Sequence, residues 1–164
     1  MGAGKSTVGK YLAAELCFPF IDLDSYIEHN HNCTVSSFFE ANGEQKFREE
    51  ELASLQTIID KYYGSDLVLS LGGGTLTNPL CNSLIATKTK CIYLHCSKEV
   101  ILKRVKKNES KRPMLARQSG TELYEHISRL MDKREDAYLK ASSFRVETSN
   151  SNIQEIINEI TKLI

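Results

Sequence analysis

The segment Met1-Gly2-Ala3-Gly4-Lys5-Ser6-Thr7 decides how the rest of the chain folds. Gly-Lys-Ser at the start of an amphipathic helix is typical of the second half of a phosphate-binding loop, where backbone N–H groups and a helix N-terminus bind a polyphosphate. In such loops the lysine contacts the β- and γ-phosphates, and the hydroxyl is a ligand of Mg²⁺. We therefore expect residues 2–7 to bind a nucleotide, with Lys5 on its phosphates and Ser6 on the metal ion.

This loop is present only in part. Its full pattern is Gly-x-x-x-x-Gly-Lys-Ser/Thr, and Gly4 is the second of the two glycines. The first glycine, and the strand that leads into the loop, would then lie before Met1. We therefore expect Met1 to be an internal methionine of a longer protein. An inactive fragment is the alternative, because the loss of a central strand leaves buried hydrogen-bonding groups unpaired at about 1–3 kcal/mol each.

The composition is that of an ordinary globular protein. The chain has 164 residues, of which 41% are hydrophobic and 26% charged, and this length favours a single domain over 1–164. The 21 basic and 21 acidic residues balance, so no overall field attracts nucleic acid. No apolar run approaches the ~20 residues of a membrane span, and no signal peptide precedes the loop. Five cysteines without a Cys-x-x-Cys pair indicate reduced thiols in a cytoplasmic protein, with neither a disulfide framework nor a zinc site.

Helical periodicity alternates with short apolar runs along the chain. We predict helices over 5–16, 25–31, 35–41, 44–62, about 80–85, about 100–105, 121–141 and from 152 onward, and strands over 18–21, 67–71, 91–94 and 144–147. This alternation predicts an α/β fold of three layers, α/β/α, in which helices cover both faces of a parallel sheet. Residues 106–119 are basic with little apolar periodicity, which predicts a mobile loop. The core is then 1–105 and 120–164.

Acidic residues and glycines follow two of the predicted strands. Ligands of open parallel sheets bind beyond the carboxyl ends of the strands, where the phosphate loop also lies. Asp22 and Asp24 follow the first strand, and residues two apart in an extended segment point to the same side. One carboxylate would hold the metal's water shell, while the other accepts a proton from a substrate hydroxyl. The alternative is that one of them only caps the next helix.

Three further patterns have a functional and a structural interpretation. Arg48 and Glu51 lie three apart on one helix face, so Glu51 either holds a ligand-binding guanidinium or forms an ordinary surface salt bridge. The run 72–74 is Gly-Gly-Gly, which allows backbone N–H groups to approach a ligand or makes a tight turn. Arg112 lies in the basic loop and Arg134 on the helix after it; an arginine on a closing loop can stabilise a transferring phosphoryl group, and a solvated charge run is the alternative.

Taken in order, these motifs resemble the shikimate kinase family, small P-loop kinases of the nucleoside-monophosphate-kinase-like group. The resemblance covers the whole chain, through Gly-Ala-Gly-Lys-Ser-Thr, Asp-x-Asp, Gly-Glu-x-x-Phe-Arg-x-x-Glu, Gly-Gly-Gly-Thr, Arg-Pro-Met-Leu and Arg-x-x-x-Tyr, which ends at Tyr138. It implies a P-loop NTPase fold with a lid at about 106–119 and a substrate-binding helical region at about 24–62. It also implies an enzyme, expected to be monomeric, that uses Mg²⁺ and ATP to phosphorylate the 3-hydroxyl of shikimate, a step towards chorismate and the aromatic amino acids.

The resemblance also implies a role for each acceptor-side residue. Asp24 would bind the reacting hydroxyl and act as base or orienting group, with Asp22 near Mg²⁺. Arg48 and Arg134 would bind the substrate carboxylate, for which paired guanidinium groups are well suited. Gly73 and Gly74, with Gly72 beside them, would contact ring hydroxyls, and Glu51 would brace the site.

On the nucleotide side, the resemblance implies that Arg112 closes over the phosphates and that Arg104 lies against the adenine. The segment 148–152 lacks the arginine and proline that many relatives carry there, so the base contacts are not implied. Two alternatives stay open: a related small-molecule kinase such as a gluconate kinase, and a nucleotide-binding protein without catalysis. Intact Lys5, Asp24, Arg112 and Arg134 argue against a decayed site.

Overall fold

The computed structural model describes residues 2–107 and 120–164. Helices and strands alternate there as predicted: α1 (Lys5–Leu16), β1 (Phe20–Asp22), α2 (Leu23–His31), α3 (Val35–Lys61), β2 (Val68–Ser70), a 3₁₀-helix (Thr75–Thr77), α4 (Pro79–Lys88), β3 (Ile92–His95), α5 (Lys98–Lys107), α6 (Gly120–Ala141), β4 (Phe144–Glu147) and α7 (Ile153–Leu163). None of the helices in this part of the chain has both the length and the apolar character of a membrane span.

Helix α1 begins directly at the phosphate loop, as the sequence predicts. Gly4 precedes it with a φ of 85°, a left-handed conformation that glycine adopts without a steric cost. The buried side chains of Val8 and Leu12 hold one face of α1 against the core. Gly9 allows a close approach to β1, since a Cβ there would lie 2.7 Å from the Phe20 ring. The start of α1 is therefore fixed relative to β1.

Helix α3 is bent at Gly43, which has a φ of 79° and a ψ of 170°. The predicted break between the helices at 35–41 and 44–62 is therefore confirmed, although the two segments run on as one element. The Asn42 side chain donates to the carbonyl of Phe38 at 3.1 Å and closes the first segment. The second segment carries Phe47 and Glu51 into the interior, where both are buried.

The four strands form two parallel pairs. In one pair Phe20–Asp22 of β1 lie beside Val68–Ser70 of β2, and in the other Ile92–His95 of β3 lie beside Phe144–Glu147 of β4. Within residues 2–107 and 120–164 no ladder joins β2 to β3, so the parallel strands do not form one continuous sheet.

One hydrophobic cluster connects the two pairs of strands. Its buried members come from α1, β4 and α7, and partly buried residues of β2 and β3 pack against it: Val8, Leu12, Val146, Ile156, Ile157 and Ile160, with Val68, Ile92 and Leu94. Helix α7 begins with the predicted capping box, in which Asn152 and Glu155 each accept a hydrogen bond from the other's backbone N–H. The apolar stripe predicted for the last helix thus covers both pairs on one face.

Candidate active site

A cleft of about 770 Å³ lies at the carboxyl ends of β1 and β2. It brings together nearly all of the predicted site residues: the loop Gly2, Ala3, Gly4, Lys5, Ser6 and Thr7, the acids Asp22, Asp24 and Glu51, the glycines Gly72, Gly73 and Gly74, and the arginines Arg48, Arg104 and Arg134. Arg112 lies outside the described residues, as does most of the predicted lid. Residues that are far apart in sequence therefore line one cavity.

We call the loop 2–7 and Asp22 the phosphate side of the cleft. Ser6 and Asp22 are in direct contact there. The Ser6 hydroxyl donates to Oδ2 of Asp22 at 2.6 Å, and the hydroxyl of Ser70 lies 3.5 Å from it. Hydroxyl and carboxylate oxygens are the ligands that Mg²⁺ prefers, and Mg²⁺ is usually held by one or two such groups together with phosphates and water. The oxygens of Ser6 and Asp22 therefore fit a magnesium ion that is shared with a bound nucleotide.

Asp22 and Asp24 lie on different elements, and the prediction that both project from an extended segment is wrong. Helix α2 already begins at Leu23, because Asp22 caps it by accepting a hydrogen bond from the backbone N–H of Ser25 at 3.3 Å. Asp22 therefore caps α2, but this is not its only contact, because it also accepts the hydrogen bond from Ser6. Asp24 lies in the first turn of α2, and both residues still line the cleft.

Asp24 has a perturbed acidity. Burial raises its pKa to about 6, and the neighbouring carboxylates of Asp22 and Glu51 add to the shift, whereas Lys5 opposes it. A pKa in this range is suited to a group that accepts a proton near neutral pH. The sequence could not indicate this shift, because it arises from residues that only the fold brings together.

Arg48 is not part of an ordinary surface salt bridge. Its guanidinium donates to Oε2 of Glu51 at 2.7 Å, and Glu51 is only 1% exposed. The second oxygen of Glu51 accepts a hydrogen bond from the buried hydroxyl of Thr75 at 2.5 Å. Glu44 contacts Arg48 from the outside at 3.3 Å. Thr75 has no predicted role, although the Gly-Gly-Gly-Thr motif contains it.

The glycines at 72 and 74 are needed because charged side chains approach them closely. A Cβ at Gly74 would lie 2.6 Å from the Arg48 guanidinium, and one at Gly72 would lie 2.9 Å from Oδ1 of Asp24 and 3.0 Å from Oε1 of Glu51. Separations below 3.0 Å are steric clashes, so any side chain here would displace the arginine or the acids. A tight turn alone would not require the absence of a side chain at both Gly72 and Gly74.

Apolar side chains form a wall of the cleft that the sequence analysis did not identify as part of the site: Val35, Phe39, Phe47 and Leu71. The rings of Phe39 and Phe47 lie 4.4 Å apart, and the Arg48 guanidinium carbon lies 5.9 Å and 5.5 Å from their centroids. A ligand bound to Arg48 would therefore have an apolar surface beside its charged group. The available signal was that Phe39 and Phe47 lie on either side of the bend at Gly43 in α3.

Arg104 connects α5 to the segment after β4. It donates to the carbonyl of Thr148 at 3.1 Å, and Thr148 in turn donates through its N–H and its hydroxyl to the carbonyl of His95 at 2.8 Å. Glu147 orders the same segment by accepting a hydrogen bond from the N–H of Ser149 at 2.9 Å. Burial alone would raise the pKa of Glu147, but hydrogen bonds from Ser149 and His95 outweigh it and lower this pKa to about 2.

Tyr138 is a second residue that the sequence analysis left without a role. Its hydroxyl donates to the carbonyl of Gly73 at 2.6 Å. It lies one helical turn after Arg134 on α6, so the two side chains are on the same face. That spacing was the signal for their proximity, while the contact with Gly73 depends on the packing of α6 against the 3₁₀-helix.

A parallel α/β fold whose cleft combines a phosphate-binding loop, a buried carboxylate with a raised pKa and several arginines defines a P-loop kinase that acts on a small molecule. The sequence model of the shikimate kinase family matches residues 1–164. The chain belongs to the shikimate kinase family.

Individual relatives agree with this match. The chain is 38% identical over 168 residues to a shikimate kinase of Prosthecochloris aestuarii, covering 99% of this chain and 83% of the relative. It superposes with a TM-score of 0.91 and 29% identity on the shikimate kinase structure from Bacteroides thetaiotaomicron, over 99% and 93% of the two chains. The structure of the Acinetobacter baumannii enzyme in complex with shikimate gives a TM-score of 0.88 and 29% identity, over 99% and 87%. The predicted family, parallel α/β fold class and kinase activity are confirmed.

Proposed function

We propose that the cleft transfers the γ-phosphoryl group of ATP to the 3-hydroxyl of shikimate, on the route to chorismate and the aromatic amino acids. The observation that carries this proposal is the position of Asp24. It lines the same cleft as the phosphate loop and has a pKa of about 6, and Gly72, the first residue of the glycine segment Gly72–Gly74, approaches it closely. A base at this position serves an acceptor hydroxyl that faces a bound phosphate.

Asp24 acts on the reacting hydroxyl. Its ionised carboxylate accepts a hydrogen bond from the 3-hydroxyl and orients the oxygen towards the γ-phosphorus. The new O–P bond forms as the bond to the β-phosphate oxygen breaks, and the hydroxyl proton passes to Asp24. The pKa near 6 leaves the carboxylate ionised at neutral pH but basic enough to accept this proton.

The phosphate side holds the nucleotide. The N-terminus of α1 and the backbone of residues 2–7 contact the phosphates, and Lys5 neutralises their charge. Ser6 and Asp22 would hold Mg²⁺, which when bound neutralises charge on the β- and γ-phosphates. Arg104 would lie against the adenine, and Arg112 would close over the phosphates from a lid at about 106–119.

The acceptor side holds the substrate. Arg48 and Arg134 would bind the carboxylate of shikimate, with Glu51 keeping Arg48 in place through the 2.7 Å contact. Gly73 and Gly74 would contact ring hydroxyls, and the apolar wall of Phe39 and Phe47 would cover the ring. The five cysteine thiols are unpaired, which is consistent with a reducing compartment such as the cytoplasm. The formal net charge is zero, so no overall positive field favours a nucleic-acid partner.

The test is acceptor-dependent ADP release by the purified protein. We expect release to require both shikimate and Mg²⁺, to stop when EDTA is added, and to resume when Mg²⁺ is restored. Turnover with gluconate and none with shikimate would overturn the acceptor assignment. An ATPase rate that is the same with and without each acid would instead favour a nucleotide-binding protein without this catalysis.

A further inference from the structure

Tyr138 is a half-buried polar group that the proposed mechanism does not use. Its hydroxyl donates to the carbonyl of Gly73 at 2.6 Å. Tyr138 follows Arg134 by one turn of α6, and the two side chains line one small cavity. Burial raises the pKa of Tyr138, while the Arg134 guanidinium acts in the opposite direction. Tyr138 therefore connects Arg134 to the middle of the glycine segment.

A second connection of the same kind exists on the other side of the cleft. Glu51 accepts hydrogen bonds from Arg48 at 2.7 Å and from Thr75 at 2.5 Å, directly after the glycine segment. Each of the two arginines is thus linked by one intermediate side chain to the segment 73–75. On the proposed function, the arginines bind the substrate carboxylate and the glycines bind its ring hydroxyls.

We propose that Tyr138 is a positioning residue, which fixes the glycine segment relative to Arg134 and so sets the spacing between the carboxylate and hydroxyl subsites. This inference rests on the proposed function of the same cleft. It goes beyond the proposed function because Tyr138 acts through the glycine segment and does not touch the reacting atoms.

The peptide geometry explains why one hydrogen bond is sufficient. Glycine has more backbone freedom than any other residue, so three glycines in succession have no intrinsic preference for one orientation. The carbonyl of Gly73 and the N–H of Gly74 belong to the same planar trans peptide and point in opposite directions. By holding the Gly73 carbonyl towards α6, Tyr138 also directs the Gly74 N–H away from α6.

The spacing matters because the acceptor is a small ring whose carboxylate and hydroxyls cannot adjust to one another. A glycine segment that samples several orientations would bind such a ring less tightly at a given arginine position, since the ordering must then occur on binding. The nucleotide does not depend on this segment, because it binds on the opposite side of the cleft. Loss of the Tyr138 hydroxyl should therefore separate the two substrates kinetically.

The main test is Tyr138→Phe, which removes the hydroxyl and retains the ring. We expect the KM for shikimate to rise about five- to twentyfold, as for the loss of one positioning hydrogen bond, while the KM for ATP stays within about twofold. A KM for shikimate within about twofold of the original enzyme would overturn the proposal. If the variant is too unstable for the assay, calorimetric titration with shikimate in the cold gives the same comparison as a Kd.

Two control variants separate positioning from general stability. Asn82→Ala breaks another link between the same elements, since the Asn82 amide donates to the carbonyls of Leu76 at 3.1 Å and Ala137 at 2.7 Å. The ring of Tyr93 lies 5.3 Å from that of Tyr138, and its hydroxyl forms no hydrogen bond with the described residues. Tyr93→Phe removes this hydroxyl. Both should leave the KM for shikimate within about twofold, although Asn82→Ala should lower the unfolding midpoint. If Asn82→Ala raises this KM as much as Tyr138→Phe does, the role of Tyr138 is only structural.

A double-mutant cycle tests the link to Arg134. If Tyr138 acts by fixing the distance to Arg134, its removal should cost less in kcat/KM when Arg134→Lys has already weakened the carboxylate subsite. If the two substitutions lower kcat/KM independently, so that the double variant shows the product of their separate fold-changes, the link between Tyr138 and Arg134 is contradicted. If the original enzyme shows no shikimate-dependent turnover, the proposed function is wrong. If the original enzyme turns over normally and Tyr138→Phe has no effect, only the role of Tyr138 is wrong.

Discussion

The phosphate side and the acceptor side of the cleft are built from different groups. The phosphate side presents backbone N–H groups, Lys5 and the exposed hydroxyl of Ser6 at the start of α1. The acceptor side consists of charged side chains that bind one another in the interior, with Glu51 between Arg48 and Thr75. A polyphosphate ligand brings its own charge and metal ion, so its site can remain solvent-accessible. A small hydroxy acid needs donors that are already ordered.

This difference has an energetic consequence. Burying charged groups is unfavourable unless they are paired, so the acceptor side is held together by interactions that fail together when one partner is removed. The hydrogen bond between Ser6 and Asp22 on the phosphate side is exposed to solvent, so its loss leaves no buried group without a partner. Substitutions on the acceptor side should therefore weaken shikimate binding and change the stability of the fold. Substitutions on the phosphate side should weaken only the binding of the nucleotide and the metal ion.

The largest effect is expected for Asp24→Asn, which tests whether the acceptor side contributes chemistry as well as binding. The amide cannot accept the hydroxyl proton, so kcat should fall on the order of 10²–10⁴-fold while the KM for ATP changes little. Steady-state kinetics at pH 7.5 (~1.5 units above the Asp24 pKa) with Asp60→Asn, an exposed acid on α3, as control would measure this. A rate within about twofold of the original would end the role of Asp24 as base or orienting group.

The next largest effect is expected for Arg48→Lys. Lysine keeps the positive charge, but it cannot contact Glu51 and a ligand carboxylate in the forked geometry of a guanidinium. The KM for shikimate should rise about 10- to 100-fold, which corresponds to one or two charge-assisted hydrogen bonds, with the KM for ATP unchanged. Lys46→Ala on the same helix, where Lys46 pairs with Glu49 at the surface, is the matched control. Equal rises in both KM values would show that the two sides are not independent.

The raised pKa of Asp24 predicts that its removal stabilises the fold. Between about pH 4 and pH 6 the folded protein retains a proton that the unfolded chain has released, so the free energy of unfolding falls as pH rises through this range. Asp24→Asn abolishes this fall, and at pH 8 the variant should be more stable by about 1–3 kcal/mol. The gain should disappear near pH 4. Urea unfolding at both pH values measures it, and a variant less stable than the original at pH 8 would refute the argument.

The smallest effect is expected for Ser6→Ala on the phosphate side. Loss of this hydroxyl removes one oxygen ligand of the metal but leaves Asp22 in place, so the Mg²⁺ concentration for half-maximal rate should rise about three- to tenfold. The KM for shikimate and the unfolding midpoint should not change. Ser36→Ala on the exposed side of α3 is the control. A rise in the KM for shikimate would contradict the separation of the two sides.

Most of the elements could be predicted from the sequence, because local patterns specify them. The start of α1 at Lys5, the break at Gly43 and the Asn152 cap all depend on conformations or hydrogen bonds within a few residues of the chain. The predicted start of α2 at Ser25 is too late, because Asp22 and Asp24 were assigned to one extended segment, whereas Asp22 caps a helix that already begins at Leu23. The division of the strands into two pairs depends on partners that lie far apart in sequence.

The two sides of the cleft differ in the same way. The sequence by itself indicated the phosphate side, because glycine, lysine and serine at fixed spacing are typical of one backbone conformation at a helix N-terminus. Only the tertiary structure decided the acceptor side: the burial of Glu51, the pKa of Asp24 and the contact between Tyr138 and Gly73. Each of these depends on the local dielectric and on neighbours from three or more elements, and no spacing within one segment can encode them.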